Sequence, residues 1–307
     1  MNLTSPKDVR DWCRDNGFHP SRALGQNFLI DRNTLDAIVA TSGAAAGMDI
    51  LEIGPGLGVL TEALLQTGAR VTAIEKDRRL AAFLRETLAP KFPNTLTLLE
   101  GDALKLLKTE ECPTGNFQQG SKFINSQFHF PVEPSLLNIE NFFVVSNLPY
   151  SVGTRILVEL ALRPLPPQTF TLLLQTEVAE RMAAPENHPE RALLSVWLQR
   201  LYDIRLTHKI PPTCFYPKPE VDSTLAHLAY HGRHPLTPPQ TAVFTALTRH
   251  AFSHRRKQLL PLLRSLPAPH ALPDAALEKI FASLSLDPKS RPEELSTAAW
   301  CELAQQW

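Results

Sequence analysis

Short, mostly apolar runs alternate with amphipathic segments over the first 180 or so residues of the chain. Such runs fill residues 50–53, 71–74, 96–99 and 142–145, and helical periodicity follows most of them. Apolar runs of this length are typical of strands buried on both faces. Strands that alternate with helices are typical of a parallel sheet with crossovers. The pattern therefore predicts an α/β fold with a doubly wound parallel sheet.

The last part of the chain has a different pattern. A polar, proline-bearing stretch at residues 232–239 precedes three segments with helical periodicity, at 241–263, 274–284 and 292–306. No strand pattern interrupts them, so we expect a small all-helical domain there. The predicted division is a first domain over residues 1–231 and a helical domain over residues 240–307. Two late strands are expected around a proline-rich loop at the end of the first domain.

Residues 108–141 are turn-rich and carry scattered phenylalanines. Loops of this length are either functional or disordered. We interpret the segment as a surface insertion between the third and fourth strands of the sheet. The sequence provides no physical account of a role for its phenylalanines.

Composition excludes several classes of protein. A chain of 307 residues can bury a substantial core in one large or two smaller domains. No apolar stretch approaches the ~18 residues that span a bilayer, and residues 1–14 lack the apolar core of a signal peptide. We therefore expect a cytoplasmic protein without membrane association. The cysteines have no Cys-x-x-Cys spacing, which argues against a zinc site and a disulfide scaffold; they are Cys13, Cys112, Cys214 and Cys301.

The charge is balanced over the whole chain but uneven along it. The formal net charge is zero, whereas residues 232–307 contain nine Lys or Arg and six Asp or Glu. A basic cluster falls within the helix predicted at 241–263 and includes Arg249, Arg255, Arg256 and Lys257. One interpretation is contact with nucleic-acid phosphates, for which basic patches are the usual footprint. The alternative is a solvated helix face.

A glycine-rich turn follows the first strong strand. Gly54, Gly56 and Gly58 alternate with other residues and lead into an amphipathic segment. Glycines let a backbone approach a ligand closely. The spacing is Gly-x-Gly-x-Gly and differs from the Gly-x-Gly-x-x-Gly of dinucleotide folds. By itself this turn is weak evidence of a binding site.

Acidic residues stand at the ends of the next two strands. Glu75 follows the run at 71–74, and Asp102 follows the run at 96–99. A carboxylate at the tip of the second strand suits a ribose diol, as in nucleotide-binding α/β folds. Asp102 is placed to accept a hydrogen bond from an adenine amine. The order Gly, Glu, Asp along three strand tips is far more specific than any one of them.

The fourth strand ends in Asn147-Leu148-Pro149-Tyr150. The Asn147 side-chain carbonyl and the Leu148 backbone carbonyl can both accept hydrogens from a planar exocyclic amine. Pro149 biases Leu148 toward an extended conformation, and Tyr150 supplies a ring on which a base can stack. The alternative is a strand that simply ends in a turn, as Asn and Pro often indicate.

This order of motifs resembles the S-adenosylmethionine-dependent methyltransferases, and more narrowly the ribosomal RNA adenine dimethyltransferases. Four further segments are similar to that family, and together they cover roughly residues 20–300. They are Gly25-Gln26-Asn27-Phe28-Leu29; the fifth-strand segment at 174–181; the proline-rich loop at 211–223; and Phe252-x-x-Arg255-Arg256-Lys257. The small-subunit (16S) branch of the family is the closest match, and the resemblance implies a Rossmann-like methyltransferase sheet.

The resemblance also implies a cofactor, a substrate and roles for individual residues. S-adenosylmethionine would be held by Asn27, Leu29, Gly54, Glu75, Asp102 and Asn147. The substrate would be two adjacent adenines in the 3′-terminal hairpin loop of 16S rRNA, within the small ribosomal subunit or its precursor. Catalysis would use Asn147, Leu148, Pro149 and Tyr150, with Phe215 clamping the base. The basic cluster would contact rRNA, and the enzyme would act as a monomer without a metal.

The chain departs from the family pattern at several positions. Ser146 replaces the glycine that commonly precedes Asn-Leu-Pro-Tyr, and Thr176 replaces a common lysine. The usual Tyr-Gly-Arg-Leu-Ser stretch appears here as residues 190–195 with a different sequence, and the segment between Asp102 and Asn147 is longer. These differences concern the backbone beside the substrate, the charge near the RNA and the shape of a local loop.

Several roles stay open at this point. Glu52 could bind the methionine end of the cofactor or accept hydrogen bonds from amides of the glycine turn. Gln26 and Asn27 could cap the segment that follows them. Phe215 could be an aromatic core residue beside prolines.

Other functions are also conceivable. Methylation of DNA adenine or of a protein glutamine is disfavoured because those enzymes more often carry Pro at the position of Leu148. A non-catalytic ribosome-assembly factor is disfavoured by the intact strand-tip residues.

Overall fold

A computed structural model describes residues 1–21, 24–107 and 141–307. The predicted insertion lies outside the described residues apart from Asn141. The chain divides into two compact units. The first contains Met1–Thr176 and Leu206–Ala229, and the second contains Glu177–Arg205 and Tyr230–Trp307.

The strands form a large mixed sheet and a short two-stranded ladder. They are β1 (Phe28–Leu29), β2 (Asp49–Ile53), β3 (Arg70–Glu75), β4 (Leu96–Glu100), β5 (Phe143–Asn147), β6 (Thr169–Gln175), β7 (Tyr202–Ile210), β8 (Phe215–Tyr216) and β9 (Ser223–Tyr230). Among the described residues, the large sheet has the order β4-β3-β2-β5-β6-β9-β7. Neighbours from β4 to β6 run parallel, and β9 is antiparallel to β6. The predicted doubly wound sheet is confirmed.

Helices of the first unit cover the sheet and lead into its strands. They are α1 (Pro6–Asp15), α2 (Arg32–Ser42), α3 (Val59–Gln66), α4 (Arg78–Thr87), α5 (Ala103–Leu106) and α6 (Gly153–Ala161). Side-chain caps fix where several begin. Asp31 accepts from the Thr34 amide at 2.7 Å to start α2, and Asp77 caps α4 in the same way. Each cap satisfies a backbone donor that the first helical turn leaves unpaired.

The core of this unit lies between the sheet and its helices. Ile38 and Leu64 from two helices pack with Val71 and Val145 from two strands, and each is at most 1% exposed. Full burial on both faces explains why the strands read as continuous apolar runs.

The sheet has a topological switch point between β2 and β5. The chain leaves β2 toward β3 on one side, and β5 adds on the other. The β2–β3 ladder reaches Ile53 paired with Ile74, whereas the β2–β5 ladder stops at Leu51 paired with Val144. In open α/β sheets, ligands bind in the crevice beyond the carboxyl ends of strands at such a point.

The second unit is helical. It contains α7 (Thr176–Ala183), α8 (Leu193–Gln199), α9 (Pro238–Phe252), α10 (Leu259–Arg264), α11 (Asp274–Ser283) and α12 (Thr297–Gln306), with α7 starting at the last residue of the first unit. Trp197 and Trp300 are its largest buried side chains, and the Trp197 indole donates to Thr248 Oγ1 at 2.9 Å. Residues 177–205 therefore pack with the C-terminal helices, although the sequence analysis placed them in the first domain.

Two predicted helices are interrupted. The expected helix at 241–263 ends at Phe252, and α10 begins only at Leu259. Pro261 lies in the first turn of α10, where its missing N–H would have no helical partner in any case, but it would break a single helix continued from α9. The expected helix at 292–306 is confirmed from Thr297 to Gln306 only, because Leu295 is extended and Ser296 caps α12. No helix in the described parts of the chain is long and apolar enough to cross a membrane.

Candidate active site

The glycine turn exposes its backbone to the switch-point cleft. Gly54 and Gly56 have φ values of +69° and +60°, a region that L side chains rarely adopt. A Cβ on Gly54 would lie 3.3 Å from Pro149 Cγ, and one on Gly56 would lie 3.0 Å from Phe28 Cδ1. Both positions therefore require glycine for conformation and for space.

Glu75 is the last residue of β3 and supports this turn. Its carboxylate accepts the Gly56 amide at 3.1 Å and the Asp77 amide at 2.8 Å. The side chain is 5% exposed. Burial raises its pKa to about 7, while the two amides oppose that rise. The carboxylate stands at the strand tip where a ribose diol is expected.

Glu52 lies on β2 beside the turn and is 2% exposed. Its Oε2 has no hydrogen-bond partner among the described residues. Burial and the nearby Glu75 raise its pKa to about 8. The Gly56 amide binds Glu75, which removes one reason to assign Glu52 to the turn amides. A buried, unpaired carboxyl oxygen at the cleft fits the alternative, a ligand that donates hydrogen bonds.

Asp102 follows β4 and caps α5 by accepting the Leu104 amide at 3.0 Å. Its second oxygen forms an ion pair with Lys76 Nζ at 2.9 Å. Burial favours the neutral acid, but Lys76 and the Leu104 amide outweigh it, so the pKa of Asp102 is lowered. Lys76 was not predicted as a site residue, although its place directly after Glu75 at a strand end was an available signal.

The N-terminal segment is held against the sheet by its side chains and backbone. Gln26 accepts the Ser21 amide at 2.7 Å and donates to Asp77 Oδ2 at 3.0 Å. Leu29 pairs with Phe215 in the β1–β8 ladder. Gln26 thus bridges two loops, and Asp31, rather than Gln26 or Asn27, caps the following helix.

Asn147 joins this segment to the end of β5. Its side-chain Nδ2 donates to the Asn27 backbone carbonyl at 2.9 Å. The bond fixes the orientation of the amide, so Oδ1 is the acceptor that the side chain keeps for a ligand. Asn27 and Asn147 both line the cleft.

The next residues of the motif are partly buried. Pro149 lines the cleft, and Leu148 is 2% exposed and packs its side chain against Gly153. The Tyr150 hydroxyl forms a short hydrogen bond with Ser223 Oγ at the start of β9. Burial raises the pKa of Tyr150. The ring is thereby fixed to the sheet by its hydroxyl.

Phe215 occupies a buried position on β8. The side chain is 2% exposed and belongs to the hydrophobic core with Leu35, Ile38 and Ile210. Neither Phe215 nor Tyr150 is among the residues that line the cleft. Apolar packing on β8 explains the position of Phe215 and agrees with the core interpretation, while its role as a base clamp stays a prediction.

The cleft is lined by all six expected cofactor residues and by Pro149. The six are Asn27, Leu29, Gly54, Glu75, Asp102 and Asn147. Leu3 and Val9 line it as well. Helix α1 was not predicted. The sequence does match a capped amphipathic helix there, with Ser5 before Pro6 and apolar residues at Val9, Trp12 and Cys13.

The basic cluster has a different structure from the one expected. Arg255, Arg256 and Lys257 lie in the turn between α9 and α10 and are not on a helix. Arg249 is on α9 with its guanidinium 5.0 Å from the Trp197 ring centre. Arg255 donates to the Pro189 carbonyl at 2.7 Å. Arg256 and Lys257 are the exposed members of the cluster. In the described parts of the chain, no group of three or more His, Cys, Asp or Glu could hold a metal.

Known proteins resemble this chain along almost its whole length. Curated relatives named ribosomal RNA small subunit methyltransferase A share 35% identity in Opitutus terrae, over 98% of this chain and 97% of the relative. The relative from Chlamydia felis also shares 35% identity, over 99% of this chain and 96% of its own length.

Solved structures show the same fold. A dimethyladenosine transferase from Plasmodium falciparum superposes with a TM-score of 0.66 and 21% identity, covering 89% of this chain and 94% of its own. The 23S rRNA methyltransferase ErmE superposes with a TM-score of 0.63 and 23% identity, covering 91% of this chain and 99% of its own.

The family described as ribosomal RNA adenine dimethylase matches residues 17–305. That range contains the glycine turn, both acidic strand tips and Asn147. The chain belongs to the ribosomal RNA adenine dimethylase family and is an S-adenosylmethionine-dependent methyltransferase.

Proposed function

We propose that this enzyme dimethylates the N6 amines of two adjacent adenines in the 3′-terminal hairpin loop of 16S rRNA. The substrate is the small ribosomal subunit or its precursor in the cytoplasm, and the enzyme acts as a monomer without a metal. The names of its relatives support a small-subunit rRNA substrate. The single observation that carries the catalytic assignment is the Asn147 amide, oriented by Asn27 at the switch-point cleft.

The cleft fits S-adenosylmethionine. Glu75 would accept hydrogen bonds from the ribose hydroxyls, and Asp102 would accept one from the adenine amine. The unpaired Glu52 Oε2 offers a further acceptor deep in the cleft. When bound, the cofactor supplies an electrophilic methyl group on a sulfonium. Without side chains at Gly54 and Gly56, Pro149 and Phe28 can pack closely against the turn.

Catalysis needs little acid–base chemistry from the protein. The lone pair of an adenine amine is delocalised into the ring, which makes the amine a weak nucleophile. Asn147 Oδ1 and the Leu148 carbonyl would accept its two hydrogens and direct the lone pair toward the methyl group. Positioning and charge placement then account for most of the rate enhancement.

Tyr150 is the base-stacking residue of this proposal. The target adenine has to leave its stack to reach the cleft, and an aromatic ring stabilises the extruded base. The hydrogen bond to Ser223 restricts the Tyr150 ring before the base arrives. Phe215, which is 2% exposed, is the second aromatic residue proposed to clamp the base.

The second unit is the proposed docking element for rRNA. Its turn at residues 253–258 exposes Arg256 and Lys257. Exposed cations on a turn can contact successive phosphates, and such contacts supply affinity without sequence information. Arg249 and Arg255 support the turn through Trp197 and the Pro189 carbonyl.

The direct test is methyl transfer to 30S particles that lack the modification. We expect incorporation of four methyl groups per particle at two adjacent adenines, mapped by primer extension and mass spectrometry of the digested rRNA. Asn147→Ala should incorporate far less, while the exposed Asn33→Ala serves as the matched control. Methylation of another nucleotide, or of naked 23S rRNA in preference to the particle, would contradict the proposal.

A further inference from the structure

A buried hydroxyl connects the two halves of the proposed site. Ser146 lies one residue before Asn147 and is fully buried. Its Oγ donates to the Ile53 carbonyl at 2.7 Å. Ile53 directly precedes Gly54. The bond therefore joins the strand that presents the amine acceptor to the strand that presents the glycine turn.

This bond lies where backbone pairing between the two strands stops. The β2–β5 ladder ends at Leu51 and Val144, although β2 runs to Ile53 and β5 to Asn147. Gly54 donates its amide to Ile74 on β3. Since successive residues of a strand direct their polar groups to opposite edges, the Ile53 carbonyl faces β5. A buried carbonyl needs a partner, and Ser146 supplies it.

We infer that Ser146 is a positioning residue that holds Asn147 at a fixed distance from the glycine turn. The inference rests on the proposed function, because it takes Asn147 as the amine acceptor and the turn as the cofactor site. Reacting atoms must approach within about 3–3.5 Å, and a displacement of ~1 Å can lower a rate 10²-fold. The glycine that is common at this position in the family has no hydroxyl to make the bond.

Two substitutions separate the hydrogen bond from the volume of the side chain. Ser146→Ala removes the hydroxyl, and Ser146→Cys keeps a similar volume but has only a weak donor. Thr171→Val is the matched control. Thr171 is also fully buried, on the neighbouring β6, and its hydroxyl contacts His227 Nδ1 at 3.0 Å.

We expect both Ser146 variants to lower kcat about tenfold, with the KM for 30S particles unchanged. A second readout needs no activity: amide hydrogen exchange of the peptide at residues 53–58 should accelerate in the cofactor-free protein. Thr171→Val should lower Tm without changing kcat or this exchange. If Ser146 only stabilised the fold, its two variants would resemble Thr171→Val, with a lower Tm and an unchanged kcat and exchange rate.

The outcomes distinguish the inference from the proposed function. If Ser146→Ala keeps the wild-type kcat and exchange while Asn147→Ala loses activity, the inference fails and the proposed function stands. If Asn147→Ala also keeps the wild-type rate, the proposed site fails. Unchanged exchange in both Ser146 variants would overturn the inference whatever the activities are.

Discussion

The Asn147 side-chain amide donates to the Asn27 backbone carbonyl at 2.9 Å, across 120 residues of sequence. The N-terminal segment thus orients the amide so that Oδ1 of Asn147 remains available to a substrate amine. An amide that is free to flip would present its NH₂ to the amine half of the time and repel it. Correct orientation before the substrate arrives is the basis of an efficient transfer.

Asn147→Ala should reduce kcat about 10²–10³-fold, the usual effect of removing one preorganised polar group at a reacting centre. Affinity for the 30S particle should change less than twofold, because phosphate contacts hold the RNA. Single-turnover methyl transfer and particle binding measure the two quantities separately. A collapse of particle binding with a normal single-turnover rate would show that Asn147 serves in docking instead.

Glu75→Gln should weaken S-adenosylmethionine binding by about 10–100-fold. A hydrogen bond to a charged group contributes about 1.5–3 kcal/mol, and the amide oxygen replaces only part of it. Isothermal titration calorimetry provides the dissociation constant, and the exposed Glu86→Gln is the control. Equal affinities in Glu75→Gln and wild type, with the fold intact by circular dichroism, would remove Glu75 from the cofactor site.

The buried Glu52 should make stability depend on pH. Its native pKa is raised to about 8 by burial and by Glu75, whereas an unfolded Glu has a pKa of about 4.3. Between these values the native state keeps a proton that the unfolded state has lost. The stabilisation that this bound proton gives to the native state is therefore fully present below about pH 4.3 and is lost as the pH rises through 8.

The expected measurement is the free energy of urea unfolding from pH 5 to pH 9. Glu52→Gln should reduce the downward slope by up to about 1.4 kcal/mol per pH unit within that range, since the amide carries no proton to lose. Glu86→Gln should leave the slope as in wild type. A Glu52→Gln slope that matches wild type would mean that the carboxyl ionises normally in the folded protein.

Neutralising Arg256 and Lys257 together should weaken binding to the small subunit. The slope of the logarithm of the binding constant against the logarithm of salt concentration should also become shallower, by about one unit per lost phosphate contact. Lys279 and Lys289 are exposed in the same unit, so Lys279→Ser with Lys289→Ser makes an equal change of charge elsewhere. Filter binding across a salt series measures both. Identical slopes in the two double variants would show that Arg256 and Lys257 are ordinary solvated side chains that do not contact the RNA.

Tyr150 and Ser223 should act as one unit. Tyr150→Phe and Ser223→Ala each remove the hydrogen bond that restricts the ring, so the double variant should lower kcat no further than either single variant. The coupling in such a cycle is typically about 0.5–3 kcal/mol. Tyr150→Phe combined with Thr224→Val is the control, because Thr224 contacts Thr176 instead. Additive effects of Tyr150→Phe and Ser223→Ala would show that the contact has no influence on turnover.

The strand tips of the site were predictable because buried parallel strands leave a clear pattern. Gly54, Glu75, Asp102 and Asn147 each follow an apolar run, and parallel strands bring those ends to one edge. Contacts between distant segments leave no such pattern. Neither the Asn147–Asn27 bond nor the β1–β8 ladder could be derived from spacing, because each joins loops whose approach depends on the rest of the fold.

Local signals were also misread where two principles competed. The apolar periodicity around residues 241–263 favoured one helix, whereas α9 ends at Phe252 and Pro261 lies in the first turn of a new helix, α10. Phe215 matched a family segment, and the structure adds that it packs in the core with Ile210. The polar N-terminus concealed α1 because its buried face is narrow, with only Val9 and Cys13 fully covered.

Arg191 makes hydrogen bonds to the Leu295 carbonyl at 3.2 Å and to Thr297 Oγ1 at 3.0 Å, more than 100 residues away along the chain. A chain synthesised from its N-terminus produces Arg191 and the α8 tryptophan well before α12 exists. Domains generally fold as units as they emerge from the ribosome. The packing of the second unit therefore cannot be completed until residues 295–297 have been synthesised, although residues 177–205 of the same unit are made much earlier.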